Sequence, residues 1–519
     1  MPVLVSYVVP DESRVADLLA RLSQDRPISE VAAVATEHRF YDSFDWRLFR
    51  AGVSLVHETT ADGGWLIWQD LAGRERPRRW AAMQPPGLAS DLPNGPLRDL
   101  LAPVLGVRRL LPIVAIDRRS DRVQLPAGGE GVIVRARIDR DQVRDPSGGP
   151  SKALPVQITL EPLSGGATEI KGRLAALKRP FGLRRVRVPR LIEALSVIER
   201  TPGDYSSKLD IDLAGHWRAE QGLREILRYL LAVFDANIAG ASAHLDPEFL
   251  HDLRVATRRA RSLLSQIKDV LPASRVASLR ERLAWLQQVT GPARDLDVYL
   301  LGLEGDLARL PAMLRPHLAP LETALSTRHR IAQQQVSEWL ESAESLALSQ
   351  EWRELAETPV SVHEAGARAD WPLKLVADRA IWRRYRRVRD DGRAIDAATP
   401  APVLHELRKD IKKLRYLMEF FRSLYGDQIS TLIKQTKILL DDLGHYQDLA
   451  VQAQFLREAA HRMDQEGQCG ADSLLAIGAL VGALLERQSE ARERFAASFA
   501  SFDGRVNRSL FRDLFKPSG

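Results

Sequence analysis

HDLRVATRRARSLL, residues 251–264, sets four arginines and one histidine within eleven residues, with one acid among them. HELRKDIKKLRYLM, residues 405–418, writes nearly the same sentence 154 residues later. At about 100° per residue each stretch sorts into two arcs of a helix. In the first, Leu253, Ala256, Ala260, Leu263 and Leu264 share one sector, opposite His251, Arg254, Arg258, Arg259 and Arg261. In the second, Leu407, Ile411, Leu414, Leu417 and Met418 oppose His405, Arg408, Lys409, Lys412, Lys413 and Arg415. Each helix is thus expected to pack by one face and present a dense cationic face.

A charged helical stripe is usually a solvated face with acids interleaved at i±4 to relieve repulsion. These arcs carry few acids, and the pattern is written twice, which points to an anionic ligand. Arginine pairs forkwise with phosphate oxygens and lysine acts as a point charge, so a mixed surface suits a flexible polyanion. Working outward, GPARDLDV (291–298) recurs as GHYQDLAV (444–451). Upstream, Arg224 and Arg228 of LREILRYLL answer Arg383 and Arg387 of WRRYRRVRD. Three markers in the same order indicate a duplication, and copies of about 150 residues suggest two tandem helical bundles rather than a short-period solenoid. Long amphipathic stretches are expected at 214–240, 247–270, 274–290, 294–308, 315–345, 372–394, 402–424, 428–442, 446–463 and 472–499.

The first 200 residues read differently. Short apolar runs at 3–9, 53–58, 64–69, 131–138 and 155–163 alternate with glycine-rich turns, an α+β pattern of mostly antiparallel strands. Helices are expected at 12–24 and 94–105, and the boundary segment 170–192 holds eight Lys/Arg and no acid. It reads equally as a basic terminal helix with linker or as a solvated surface.

Composition narrows the function without deciding it. The 519 residues carry a net charge of +6, with 45% hydrophobic residues. Residues 1–200 hold 30 Lys/Arg and 24 Asp/Glu; the rest hold 44 of each, so any anion site in the helical half arises from segregated charge. No run has the ~18 apolar residues of a membrane span. The opening MPVLVSYVVPDES does not read as a signal peptide. Cys469 is alone, which excludes an internal disulfide framework or a cysteine zinc site and makes a reducing cytoplasm the default. No metal ligand set and no cofactor are expected. A helix-turn-helix, a zinc finger and an RNP-type aromatic pattern are missing, which disfavours nucleic acid as the partner. In WRRYRRVR, Trp382 and Tyr385 read as core residues.

The two basic motifs together with GPARDLDVYL resemble the CHAD domain, the conserved histidine α-helical domain, over about residues 210–519. The resemblance implies two four-helix bundles about a pseudo-twofold, copy 1 at about 210–345 and copy 2 at about 370–503, with a basic pore or groove between them. It implies binding of inorganic polyphosphate, and for some members association with polyphosphate granules. His251, Arg254, Arg258, Arg259 and Arg261, with His405, Arg408, Lys409, Lys412, Lys413 and Arg415, would form the polyphosphate surface, joined by Arg224, Arg228, Arg383 and Arg387. Asp295 and Asp448 would orient these cations or cap helices.

YDSFDWRLFRAGVSLVHE (41–58) resembles a segment of the CYTH family, the triphosphate tunnel metalloenzymes, which implies an antiparallel β-tunnel over 1–200. Active members begin with ExExK, whereas residues 1–10 here contain no acid and no lysine. Val56 and Glu58 stand where the family has arginines, and Thr159 stands where a second glutamate would accompany Glu161. Arg135 and Arg137 keep a basic strand face. Without clustered carboxylates a metal-activated site is hard to assemble, so this half is expected to be a degenerate, non-catalytic tunnel. A metal-dependent triphosphatase or short-chain polyphosphatase is the rival expectation, and a nucleic-acid or scaffold role the third.

Overall fold

The computed structural model describes residues 5–72, 77–82, 84–126, 133–164, 167–359, 364–396 and 398–517. Residues 1–4 of the acid-free opening and 131–132 of the basic strand lie outside the described residues. The chain divides into two compact units, 1–206 and 207–519.

The first unit runs β1 (Val5–Val9), α1 (Val15–Ser23), β2 (Ser29–Asp42), α2 (Arg47–Arg50), β3 (Val53–Thr60), β4 (Gly63–Asp70), β5 (Arg78–Ala81), α3 (Pro96–Leu105), β6 (Leu111–Pro126), β7 (Ile133–Arg144), β8 (Lys152–Ala153), β9 (Val156–Ser164), α4 (Ala167–Lys178), β10 (Arg184–Arg185) and α5 (Arg190–Val197). Among the described residues these strands form one sheet in the order β10-β1-β9-β7-β6-β2-β3-β4-β5, with β8 on β7. Every pairing is antiparallel.

Strand alternation assigns the two faces. Val134, Ala136 and Ile138 of β7 pack with Val156, Ile158 and Leu160 of β9 against α1 and α4. The opposite face is mixed. One end is apolar, where Phe40, Val56, Val114, Ile116 and Val143 receive Leu191, Ala194 and Leu195 of α5. The other end is polar. The register aligns Arg118 with Asp141, Ser120 with Asp139, Arg122 with Arg137, and Arg137 with Thr159.

The two longest strands, β2 and β6, went unmarked by the apolar-run reading. In β6 the run LPIVAI continues into DRRSDR, where Arg118, Ser120 and Arg122 supply the polar face, and β2 is exposed over its alanine-rich first half. The basic 170–192 segment takes in most of helix α4, the short strand β10 and the start of α5, and Lys171, Lys178, Arg179, Arg184, Arg185 and Arg187 are exposed. Leu174 of α4 is core, Arg184 and Arg185 pair with β1, and Arg190 binds Asp141 and Glu193.

The second unit is helical: α6 (Ala219–Ser242), α7 (Pro247–Gln266), α8 (Ala273–Val289), α9 (Gly291–Leu307), α10 (Ala319–Leu340), α11 (Ala343–Glu357), α12 (Leu373–Arg393), α13 (Ala401–Phe420), α14 (Gln428–Gln465), α15 (Ala471–Phe502) and α16 (Arg505–Phe515). Two bundles recur. α6, α7, α8 and α11 pack together, as do α12, α13, the first half of α14, and α16. Phe234 on Trp352 seals the first, and Tyr385 stacked on Phe511 at 3.8 Å seals the second. Tyr385 is core as expected, while Trp382 is half-buried beside it. Helix α9 with α10, and the second half of α14 with α15, form a hairpin in each copy.

Two expected helices, 428–442 and 446–463, are a single 38-residue helix. The glycine of GHYQD sits inside it as Gly444, with no proline to stop the ladder. In copy 1 the corresponding stretch breaks at Thr290, because Pro292 follows Gly291 and supplies no N–H. Helices α11 and α16, absent from the periodicity reading, follow the hairpins at equivalent places.

Candidate functional site

Helix α7 starts where Asp246 accepts the Glu248 N–H at 2.9 Å, with Pro247 in the first turn. Its apolar sector, from Phe249 to Leu264, is buried, and so is that of α13, from Leu404 to Met418. The two helices meet directly. The Gln266 amide donates to the Lys413 carbonyl at 3.2 Å, and Arg259 pairs with Glu419 at 3.1 Å.

The cations divide into two groups. One forms a cluster drawn from both copies. Arg254 is 8% exposed and donates to the Gln287 carbonyl at 2.9 Å and to the Thr290 hydroxyl, tying α7 to the α8–α9 junction. The Nε–H groups of Arg254, Arg258 and Arg408, and that of neighbouring Arg259, are buried without a hydrogen-bond partner. Among the described residues no acid lies within ion-pair distance of Arg258, Arg261 or Lys412. Burial, then Arg408 and Arg258, push the Lys412 amine down to about 8. Burial, then Arg258, lower Arg254 to about 10. Burial and Arg280 lower Arg261. The cluster therefore stores both desolvation and mutual repulsion, which an anion would relieve.

The second group is already engaged, mostly by acids. Arg259 also donates to the Ser207 carbonyl at 2.8 Å, and Arg415 binds Glu419 at 2.6 Å. Asp410 gathers Lys413 at 3.0 Å, Arg387 at 2.7 Å and Arg384 at 2.7 Å. Lys409 pairs with Glu406 at 2.8 Å, and Arg383 donates to the Gln266 carbonyl at 3.2 Å. Arg224 is turned to the end of α11, donating to the Ala356 carbonyl at 3.1 Å and to that of Glu357. Arg228 pairs with Glu225 and reaches the same Ala356 carbonyl. Of the cations assigned from sequence, then, Arg258, Arg261 and Lys412 have no acid within ion-pair distance among the described residues, Arg254 bonds only neutral acceptors, and Arg408 has only the exposed Asp448.

His251 is half-buried in the first turns of α7. His405 meets the Gln447 amide through Nδ1, and Gln447 accepts from Arg408 at 3.3 Å. Asp448 lies 3.4 Å from Arg408, and Asp295 is held among Arg254, Arg294 and Arg258, with burial raising its carboxyl above the ordinary range. Both aspartates sit inside helices and not at their caps. Gln447, Arg384 and Asp410 lie within the repeated motifs, and contacts between helices give each of them partners.

In the first unit, Asp42 accepts the N–H groups of Ser43, Leu48 and Phe49, which fixes the YDSFDW turn. The acids on the polar face of the sheet each have a basic partner. Glu161 faces Arg135 at 3.3 Å, Asp139 faces Arg137 at 3.0 Å, Asp141 binds Arg118 at 2.8 Å and Arg190 at 2.6 Å, and Glu58 pairs with His38 at 3.4 Å and with Arg79. Thr159, at the expected second glutamate, bonds the Ser6 hydroxyl at 2.9 Å. Burial and Arg118 bring His38 down to about 4. Among the described residues no group of three or more His, Cys, Asp or Glu is placed to hold a metal ion. No helix among them is long and apolar enough to cross a membrane.

No curated protein matches the chain significantly. The solved CHAD domain of the plant Ricinus communis is similar at 22% identity over 56% of this chain and 95% of its own, with a TM-score of 0.47. PptA from Streptomyces chartreusis is similar at 18% identity over 55% and 99%, with a TM-score of 0.43. A Hippeastrum protein described as having a dominant triphosphatase activity is similar at 15% identity over 40% and 100%, with a TM-score of 0.27. The CHAD domain family matches residues 225–457, a span that takes in both copies of the basic motif and both GxxxD segments. The helical unit of this chain thus contains a CHAD domain.

Proposed function

We propose that the α7–α13 surface binds inorganic polyphosphate without catalysing its cleavage. The observation that carries this reading is the cluster of Arg254, Arg258, Arg408 and Lys412, contributed by both copies and holding three buried guanidinium Nε–H groups without partners. A chain of phosphates supplies closely spaced oxygens to such donors, and each neutralised phosphate releases counterions. Affinity then rises with chain length, because added phosphates reach further cations at high effective concentration. Attachment to polyphosphate granules is the cellular setting this reading suggests. The first unit, with its polar-face acids committed to arginine and histidine, contributes structure rather than turnover.

The test reverses charge in both copies at once. Replacing Arg258→Glu together with Lys412→Glu is expected to weaken binding of long-chain polyphosphate by at least about 100-fold at physiological salt. The fold is expected to survive, because the new acids find Arg254 and Arg408 as partners. Binding by wild type should fall steeply with salt and outcompete DNA at matched phosphate concentration. Undiminished binding by the double variant would refute the assigned surface, and phosphate release from tripolyphosphate with Mg²⁺ or Mn²⁺ would refute the non-catalytic reading.

A further inference from the structure

The duplication leaves one feature in copy 2 that copy 1 does not share. Between the first turns of α13 and the middle of α14 lies a cavity of about 460 Å³, walled by Leu404, Tyr446, Ala450 and Phe455, with the amides of Gln447 and Gln454 at its edge. That volume falls within the roughly 300–1,000 Å³ of small-molecule pockets. At the offset of 153 that relates GPARDLDV to GHYQDLAV, Gln447 and Ala450 correspond to Arg294 and Asp297. Copy 1 fills the equivalent space with charge. Arg294 donates to the Pro247 carbonyl at 3.2 Å, and Asp297 accepts from His329 at 2.7 Å and from Gln333 at 3.3 Å. The cavity thus lies where copy 2 has Ala450 at the position of the networked Asp297 of copy 1.

Its position relative to the cations gives it a ligand. Gln447 both lines the cavity and accepts from Arg408. The Arg408 guanidinium overhangs the same stretch of α14, so closely that a Cβ on Gly444 would meet it at 3.1 Å. Lys412 and Arg258 continue the cationic track beyond Arg408. A ligand that fits both features has a flat apolar body with hydrogen-bonding edges, joined to a chain of phosphates. Phe455 is already stacked on Tyr299. Each amide carries some of its bonds, Gln447 to His405 and Arg408 and Gln454 to the lining acid Glu458, yet each keeps further capacity. An acyl chain would cover that capacity unpaired, whereas a nucleobase packs against Tyr446 and meets the amides with polar edges.

We propose that copy 2 carries a base pocket, so that a nucleoside polyphosphate seats its base beside Ala450 and runs its phosphates over Arg408, Lys412 and Arg258. This rests on the polyphosphate reading of the cluster and adds a specificity to it. The experiment is calorimetric titration of the full-length protein with ATP, with tripolyphosphate and with adenosine, at low salt. ATP is expected to bind at least ten-fold more tightly than tripolyphosphate. Ala450→Phe, which fills the cavity, is expected to erase that advantage while leaving tripolyphosphate binding unchanged, and the latter reports that the variant is folded. Gln454→Ala, at the rim, should remove part of the advantage. Tripolyphosphate binding with no gain from the base overturns the pocket and leaves the polyphosphate reading standing, and so does a gain that survives Ala450→Phe. Failure of both tripolyphosphate and long-chain polyphosphate to bind overturns the polyphosphate reading, and the base pocket falls with it.

Discussion

The two copies of the helical unit keep the same basic helix and surround it differently. In copy 1, Arg254 is tied to the α8–α9 junction, donating to the Gln287 carbonyl and the Thr290 hydroxyl where Pro292 breaks the helix. In copy 2 the helix runs on through Gly444, and Arg408 lies across it with only the Gln447 amide and the exposed Asp448 as partners. Behind the junction, copy 1 has a buried carboxylate network at Asp297, and copy 2 has Ala450 and a cavity. Of the matched cations, only Arg258 and Lys412 lack an acid within ion-pair distance in both copies among the described residues, while Arg259, Lys413, Arg408 and Arg415 each have one. Within a duplicated frame, retained but unsatisfied charge is thus the mark of a shared ligand, and divergence is the mark of a local structural role.

The largest effect expected from breaking this comparison is at Asp297. Asp297→Ala writes the copy 2 residue into copy 1 and strands His329, Gln333 and Arg294 around an empty space. A loss of about 3 kcal/mol in urea unfolding is expected, since removing one partner from a buried charged network leaves the rest uncompensated. Polyphosphate affinity should hardly change, because Asp297 belongs to the network behind the cluster. A variant as stable as wild type would show that the copy 1 network contributes nothing.

A smaller, paired effect separates Arg254 from Arg408. Arg254→Ala removes a buried charged donor from two acceptors and should cost about 2 kcal/mol of stability. Arg408→Ala, whose ion-pair partner Asp448 is 71% exposed, should cost under about 1 kcal/mol. Both should weaken polyphosphate binding to a similar extent. If stability falls equally and binding does not, the division of labour between the copies is wrong.

The basic helices were legible in the sequence because a 3.6-residue period places apolar and cationic residues on opposite arcs whatever the neighbours are. Which cations were free was not legible. Glu419 neutralises Arg259 across two helices, and Asp410 collects three cations, one of them from its own helix. Apart from Lys413 on Asp410, which is an i,i+3 pair, these are tertiary pairings that no local pattern encodes. Arg224 and Arg228 shared a motif position with Arg383 and Arg387, yet Arg224 and Arg228 satisfy the last carbonyls of α11, a helix that periodicity did not reveal. In the sheet unit, Arg135 and Arg137 lie on the polar face by simple alternation, whereas β2 and β6 stayed hidden because their polar halves resemble loops.

The smallest effect, and the sharpest on the shared cluster, is the pH dependence conferred by Lys412. Its amine sits near 8 instead of its ordinary 10.5 because burial and two arginines penalise the charge. Between those two values the unfolded chain holds the proton more tightly than the folded one, so stability without ligand rises with pH across that window. Binding runs the opposite way. A polyanion needs the protonated amine, and its phosphates draw the amine back towards its ordinary value. The competent fraction falls about ten-fold from pH 7 to pH 9, so apparent affinity should fall by at most that factor. Lys412→Arg keeps the charge at every accessible pH and should flatten the profile. Lys412→Met should weaken binding while stabilising the ligand-free protein below pH 8, because it removes the repulsion with Arg258 and Arg408. A Lys412→Arg profile as steep as wild type would assign the pH dependence to another group. A Lys412→Met variant less stable than wild type would show that no repulsion is stored there for the ligand to release.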